Sequence, residues 1–482
     1  MFVFQNIAEY MGYFKKSPPL ALAGVSAHAR ECGERHDKGV LGCKTISDDY
    51  RTHREFKAEY SDLTRAEGIR WWIERQRDCP LLISVSFDGA ESLKYIKSWE
   101  SILKGLSQSE VEHMFDLQIK WVESLLPFTG LLLVSEGIVL EFCSLTTLEA
   151  LRGLKQLRSV TLWSSGGAFS LDPLTTCPNL TTVRLSDCHQ SNSVGVLGSL
   201  RNLKSIALEE CGITDVDFLM GCPFVDSINV SECKNLTSLA GLGGLLKLKT
   251  VDASGSEIQS VEGLSGCVAL ESVNLRGCKN LLSFAGLGGL RKLKTVGALC
   301  TGIQSVRDLA GCVSLESVDV SWCENLRSLD GLGGLAKLRT IDTNQSGIMS
   351  IGNLTGCVAL EKVNVSGCYM LTSLTGLAGL EKLRAVDAVD SAIQSIGDLT
   401  GCVALESVDV RGCRSLTSVI ALSRLQNLTE VLVGGTEVKM REQFAFRPGV
   451  FAGDFNDYVY DFYLLQDSDE EDSYDFVYDQ RR

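Results

Sequence analysis

Between Leu131 and Val438 the apolar residues recur with a spacing that neither an isolated helix nor an isolated strand explains. Leu270, Val273, Leu275, Cys278 and Leu281 set the pattern: apolar, two residues, apolar, one residue, apolar, then Cys. Leu293, Val296, Ala298, Thr301 and Ile303 repeat it with Thr in place of Cys. The alternation through Val273 and Leu275 predicts a short strand whose alternate residues point inward. After Cys278 the segment LLSFAGLGGL supplies leucines to a core, while its glycines permit a tight return path. One such turn cannot bury its own apolar face, so successive turns must stack with their strands side by side and parallel.

Cysteine fixes the period. Cys177, Cys222, Cys267, Cys312, Cys357 and Cys402 are each 45 residues apart, and Cys188, Cys233, Cys278, Cys323, Cys368 and Cys413 repeat that step eleven residues later. Cys143 extends the second series one unit upstream. A fixed period means an array and outranks local signals. Over these residues the chain resembles the leucine-rich-repeat superfamily, as seven double units or fourteen single repeats averaging 22.5 residues. Its short repeats look most like the 22-residue class found in a phosphatase regulatory subunit. The paired Cys-type and Thr/Ser-type halves are similar to the leucine-rich-repeat proteins expanded in trypanosomatid parasites. The resemblance implies an α/β solenoid: a curved array with a parallel β-sheet on its concave face, a helical N-terminal cap and a disordered acidic C-terminal tail.

The Cys278 position is where many such repeats carry Asn, whose side chain bonds the backbone of adjacent turns. Cys188, Cys233, Cys278, Cys323, Cys368 and Cys413 therefore read as a structural ladder, with Cys211, Ser256, Thr301, Ser346, Ser391 and Thr436 between them. Thiols and hydroxyls are small and can donate there. The first series, around Cys267, reads as small buried hydrophobes. Equivalent positions two turns apart stand about 9–10 Å from each other, too far for a disulfide and unsuited to tetrahedral zinc. The recurring GLGGL lacks the Gly-Lys-Ser/Thr ending of a phosphate loop.

Composition shifts outside the array. Residues 1–49 read as a loosely ordered segment, residues 50–130 as a mainly helical cap or small fused domain, 131–440 as the solenoid, and 441–482 as a C-terminal cap and acidic aromatic tail. Ile69, Trp72 and Ile73, then Val111, Met114, Phe115, Ile119 and Val122, recur at helical spacing, whereas Leu81 to Phe87 reads as a strand. Trp71, Trp72 and Trp121 are expected in the core of that cap. His28, Cys32, His36 and Cys43 offer four possible ligands within 16 residues. Their spacing matches no standard zinc module, so the expectation is no metal and no cofactor, with those four as the residues that would hold zinc.

The net charge of −14 argues against nucleic acid as a partner, and no apolar stretch reaches the length of a membrane span. The last 32 residues hold ten acidic and two basic residues, plus nine aromatics, as a solubilising tail or a binding segment. Ser468 within SDEED resembles an acidophilic-kinase site. The N-terminus lacks the order of a secretory signal, which points to the cytoplasm with the nucleus left open. On the expected concave face, Asn229, Asp252, Asn274, Asp319, Asp342, Asn364, Asp387 and Asp409 form an acidic, hydrogen-bonding row. The bland account of that row is solubility alone; the sharper one is a binding strip for an unknown protein partner. No catalytic motif is present, and His189 next to Cys188 does not make a nucleophile pair. The expectation is a non-enzymatic interaction scaffold with no small-molecule substrate. A substrate-recognition subunit of a ubiquitin ligase, or a regulator of a phosphatase or small GTPase, stands as the alternative.

Overall fold

The structure is a computed structural model that describes residues 45–48, 51–59, 61, 81–106, 114–164, 169–188, 191–439 and 451–453. The chain divides into two compact units, residues 1–281 with 285–290, and residues 282–284 with 291–482.

In the first unit β1 (Thr45–Asp48) pairs antiparallel with β2 (Arg51–Glu59). From β2 onward every neighbour is parallel and follows in chain order: β3 (Leu81–Asp88), β4 (Met114–Lys120), β5 (Gly137–Glu141), β6 (Ser159–Trp163), β7 (Thr182–Ser186), β8 (Ser205–Glu209), β9 (Ser227–Asn229), β10 (Thr250–Asp252) and β11 (Ser272–Asn274). Helix α1 (Ile96–Leu106) connects β3 to β4, and the short α2 (Thr129–Leu132) lies between β4 and β5. In the second unit β12 (Thr295–Gly297), β13 (Ser317–Asp319), β14 (Thr340–Asp342), β15 (Lys362–Asn364), β16 (Ala385–Asp387), β17 (Ser407–Asp409), β18 (Glu430–Leu432) and β19 (Phe451–Gly453) pair in the same way.

The registers explain the 45-residue period. Ile206, Ile228, Val251 and Val273 stand opposite one another at steps of 22, 23 and 22 residues, and Val318, Ile341, Val363 and Val386 at 23, 22 and 23. A short turn and a long one alternate, so the sequence repeats only every second turn. Leu248, Val251, Ala253, Ile258, Val261 and Leu264 are all buried, so strand, corner and return of one turn each contribute to the core of the first unit. Each fully buried Leu or Val contributes about 1.5–3 kcal/mol of apolar burial, which only stacking with neighbours can realise. Several return paths contain a single short 3-10 turn, such as Glu262–Gly266, while those from β13 to β17 have none.

The expectation of a mainly helical segment over 50–130 is corrected. Among its described residues β2, β3 and β4 are strands, the predicted strand at Leu81–Phe87 included, and only α1, the four residues of α2 and two 3-10 turns are helical. In β4 Phe115, Leu117 and Ile119 are buried while Asp116, Gln118 and Lys120 alternate with them on the other face. The helical reading rested on the four-residue gap between Phe115 and Ile119, and four is also twice the strand period. Parallel pairing therefore begins well upstream of residue 131, with longer connections that include α1. Trp121, expected in a core, is 60% exposed. Trp71 and Trp72 lie outside the described residues.

Candidate functional site

In each three-residue strand the central residue points into the core and its two neighbours point out: Val251 is buried, Thr250 exposed and Asp252 half-buried. The predicted row occupies the third place. Asn229, Asp252 and Asn274 belong to the first unit; Asp319, Asp342, Asn364, Asp387 and Asp409 belong to the second.

These side chains have a local task. The strand ends where the backbone must turn, and the side-chain oxygen accepts the N–H two residues on. Asn229 accepts from Ser231 at 2.9 Å, Asp252 from Ser254 at 2.9 Å, Asn274 from Arg276 at 3.2 Å, and Asp319 from Ser321 at 3.0 Å. Asp342, Asn364 and Asp409 do the same for Asn344, Ser366 and Arg411. Asp and Asn form such turns readily, which is why no other residue type recurs at this position. Alternation of Asp and Asn adds a second bond along the row. The Asn274 amide donates to Asp252 at 3.0 Å, and that of Asn364 to Asp342 at 3.2 Å. Asp387 is paired to Lys362 at 2.7 Å, and Asp409, only 8% exposed, is clamped by Arg411 at 2.6 Å. The row is thus a turn-forming device that also presents half-buried carboxylates.

Within the first unit the row borders a hollow of about 310 Å3 lined by Arg184, Ala207, Glu209, Asn229, Asp252 and Asn274 among others. Ala207 stands where following turns carry Asn or Asp, and its small side chain opens the space. Glu209 accepts the Asn229 amide at 2.7 Å, so the floor is polar and ordered. Arg184, exposed at one side, makes no ion pair among the described residues.

The cysteine ladder is a set of hydrogen bonds from one turn to the previous one. Cys233, Cys278, Cys323, Cys368 and Cys413 donate to the carbonyls of Leu208, Ala253, Ala298, Thr343 and Ala388 at 2.8–3.2 Å. Cys188 reaches Leu162 at 3.7 Å. Ser256 and Ser391 fill the same role at 2.7 and 2.6 Å, whereas Thr301 and Thr436 bond their own turn. The first series is buried, as expected of small hydrophobes, but it does more than fill space. Cys177, Cys222, Cys267, Cys357 and Cys402 also donate to carbonyls one turn back, at 3.0–3.6 Å. That turn leaves a carbonyl facing the corner, so a small donor satisfies it. Burial pushes these thiols up, Cys211 and Cys278 to about 12 and Cys222, Cys233, Cys267 and Cys413 to about 11. All 15 described cysteines are free thiols.

One feature escaped the sequence reading. Trp121, Phe142 and Trp163 sit at the strand ends of successive turns, with Trp121 and Phe142 stacked at 4.7 Å and 13°, and Phe142 and Trp163 at 6.0 Å. The signal was available: the three are spaced by 21 residues, close to the repeat length. His28, Cys32, His36, Cys43, Ser468, His189 and the acidic tail lie outside the described residues. Among the described residues no group of three or more His, Cys, Asp or Glu is arranged to hold a metal, and no helix is long and apolar enough to cross a membrane.

The parallel strands, the alternating 22- and 23-residue turns and the corner ladder define a leucine-rich-repeat fold. No known protein family and no curated protein sequence matches the chain. Solved structures do. TLR13 in complex with ssRNA13 aligns at a TM-score of 0.62 and 14% identity, over 83% of this chain and 61% of that one. The Toll–Spatzle complex of Drosophila aligns at 0.56 and 11%, over 83% of this chain and 63% of that one. An internalin from Listeria monocytogenes aligns at 0.51 and 17%, over 76% and 95%. The chain thus spans under two thirds of the TLR13 and Toll-complex chains. At such identities the likeness is one of fold.

Proposed function

We propose that this protein is a non-enzymatic interaction scaffold whose outward sheet face binds a protein partner carrying a basic surface. The observation that carries the reading is the row itself. In the second unit Asp319, Asp342, Asp387 and Asp409 repeat on one face; Asp387 and Asp409 are ion-paired, whereas Asp319 gives one oxygen to its turn and its other oxygen has no bonded partner among the described residues. Anchored carboxylates in register suit charge-steered recognition, because their orientation is fixed before the partner arrives. Among the solved structures above, one is a complex with RNA and another a complex named for Spatzle. The protein reading is favoured here because a net charge of −14 opposes a polyphosphate. Free, carbonyl-bonded thiols support a reducing compartment such as the cytoplasm.

The test uses the chemistry of the turn. Asn occupies the same place at Asn229, Asn274 and Asn364 and accepts the same N–H. The triple variant Asp319→Asn, Asp342→Asn, Asp387→Asn therefore removes three charges: it keeps the turn bond at Asp319 and Asp342, and at Asp387 the N–H of Val389 already donates to Ser366 Oγ. Affinity purification from the native source should recover a partner with the wild-type chain and lose it with the variant, at unchanged thermal stability. Recovery of the same set of proteins by both chains would defeat the proposal.

A further inference from the structure

Just past the end of each strand from β3 through β18 the array places one residue in the left-handed backbone region. Glycine takes that place at Gly255, Gly277, Gly367, Gly412 and Gly435. In the first unit it is taken by Trp121 at φ 55° and Phe142 at φ 53°. Bulky residues are rare there, since Cβ crowds the carbonyl oxygen. The cost is not offset by burial: Trp121 is 60% exposed, Phe142 37% and Trp163 48%. Trp121 and Phe142 are strained, and together with Trp163, the last residue of β6, their rings face solvent and lie against one another, so they gain little for the fold.

The stack is open at one end. The Trp121 N–H donates to the Glu141 carbonyl and the Phe142 N–H to the Trp163 carbonyl, and one turn earlier the Gly89 N–H donates to the Lys120 carbonyl at 3.0 Å. Gly89, at φ 61°, thus holds the next place in the row without a side chain, and a Cβ built on it would meet no atom within 4 Å. Asp88, in register with Lys120, is exposed and makes no ion pair or hydrogen bond among the described residues. The nearby cation is committed elsewhere: Lys120 pairs with the buried Glu141 at 2.7 Å, and Glu141 also accepts from Gln118 at 2.6 Å. Glu91, two residues beyond Gly89, is exposed as well, and Lys94 lies over the ring of Tyr95.

We propose that the space above Gly89 receives an arginine side chain of a partner protein, its guanidinium stacked on Trp121 and paired with Asp88. A guanidinium is planar and weakly hydrated, so it stacks on an aromatic face while its donors fork onto a carboxylate. An ammonium has no plane to stack. A nucleobase would bring phosphate toward Asp88 and Glu91, which repel it. The site rests on the partner-binding reading above and specifies one contact of it.

The probe is a blocked Gly-Arg-Gly-Arg-Gly peptide titrated into the full chain, read at the Trp121 indole N–H resonance assigned by its loss in Trp121→Gly. Trp121→Gly places glycine where the backbone prefers it, so the fold is kept; Asp88→Asn, at an exposed position, provides a second variant independent of the core. The wild-type resonance should shift saturably, Asp88→Asn should weaken binding about fivefold or more, and the lysine counterpart should bind about as weakly as that variant. No shift in the wild type, equal binding by the lysine peptide, or a shift produced instead by a single-stranded pyrimidine oligonucleotide would overturn the site. If it is overturned while the triple Asn variant still releases a partner, the scaffold reading stands and this contact alone falls.

Discussion

Ser256 shows how much one small side chain does at the corner of a turn. It is 1% exposed, donates to the Val230 carbonyl at 2.7 Å and accepts the Cys233 N–H at 2.9 Å. Ser256→Ala leaves both a buried acceptor and a buried donor unpaired, so a loss of about 2–4 kcal/mol in urea unfolding is expected. Cys278→Ala frees the Ala253 carbonyl from a weak thiol donor and takes a weak sulfur acceptor from the Ser256 and Ile258 N–H groups, and a loss of about 1–2 kcal/mol is expected, cavity included. Equal costs would mean the ladder acts by size alone. The thiols also set a pH dependence. Their ordinary value is 9.0, and in the folded chain Cys278 is raised to about 12 and Cys267 to about 11. Above pH 9 the unfolded chain releases thiol protons that the folded chain retains. The contribution is therefore complete below that pH and lost as pH rises toward 11 and 12. Each thiol adds a slope of about 1.4 kcal/mol per pH unit inside the window. The urea midpoint should fall steeply between pH 9 and 11, and less steeply in the Cys267→Ser, Cys278→Ser double variant, whose hydroxyls do not titrate.

Strand and turn form one element in this fold, and the αL residue between them is its hinge. Gly277 has φ 76°, and a Cβ there would come no nearer than 3.4 Å to Gly255 Cα, an ordinary contact. Gly277→Ala thus tests backbone conformation without a clash, and a loss of about 1 kcal/mol is expected in the same unfolding measurement. At this scale the sequence was legible wherever side-chain identity reports burial. The inward positions of β9 through β18 follow from the Leu, Ile and Val spacing, because the central residue of each of these strands has no polar partner to satisfy and must be apolar. Two things were not legible. Phe115 and Ile119 in β4 are four apart, a gap that helix and strand share, and only the burial of Leu117 between them decides for the strand. Likewise Asp252 and Asn274 read as a polar row facing solvent, but their engagement with the N–H of Ser254 and Arg276 depends on where the backbone turns. Residue type alone does not reveal that.

Why the chain repeats at 45 residues and not at half that length is a question for the array as a whole. Viewed across turns, one buried row alternates in size: Cys222, Leu245, Cys267 and Leu290 in the first unit, then Cys312, Leu335, Cys357, Leu380, Cys402 and Leu425 in the second. A large side chain always lies between two small ones, as close packing of successive layers demands. The ladder row alternates too, with Thr301 against Cys323 at 3.2 Å and Ser346 against Cys368 at 3.7 Å. The unit of stability is therefore a pair of turns. Deleting residues 313–357 removes one whole pair and rejoins Cys312 to a segment that follows an equivalent Cys. That variant should fold, with a urea m-value lower by about a tenth and a midpoint close to wild type. Deleting residues 313–335 removes less chain, yet it sets Cys312 beside Cys357 with no Leu between them, and Thr301 beside Ser346 with no thiol between them. The missing volume resembles a buried Leu-to-Ala change, so this shorter deletion should cost about 2–5 kcal/mol more than the longer one. A shorter deletion that proves equally stable would show that the two halves are interchangeable and that the double period does not arise from packing.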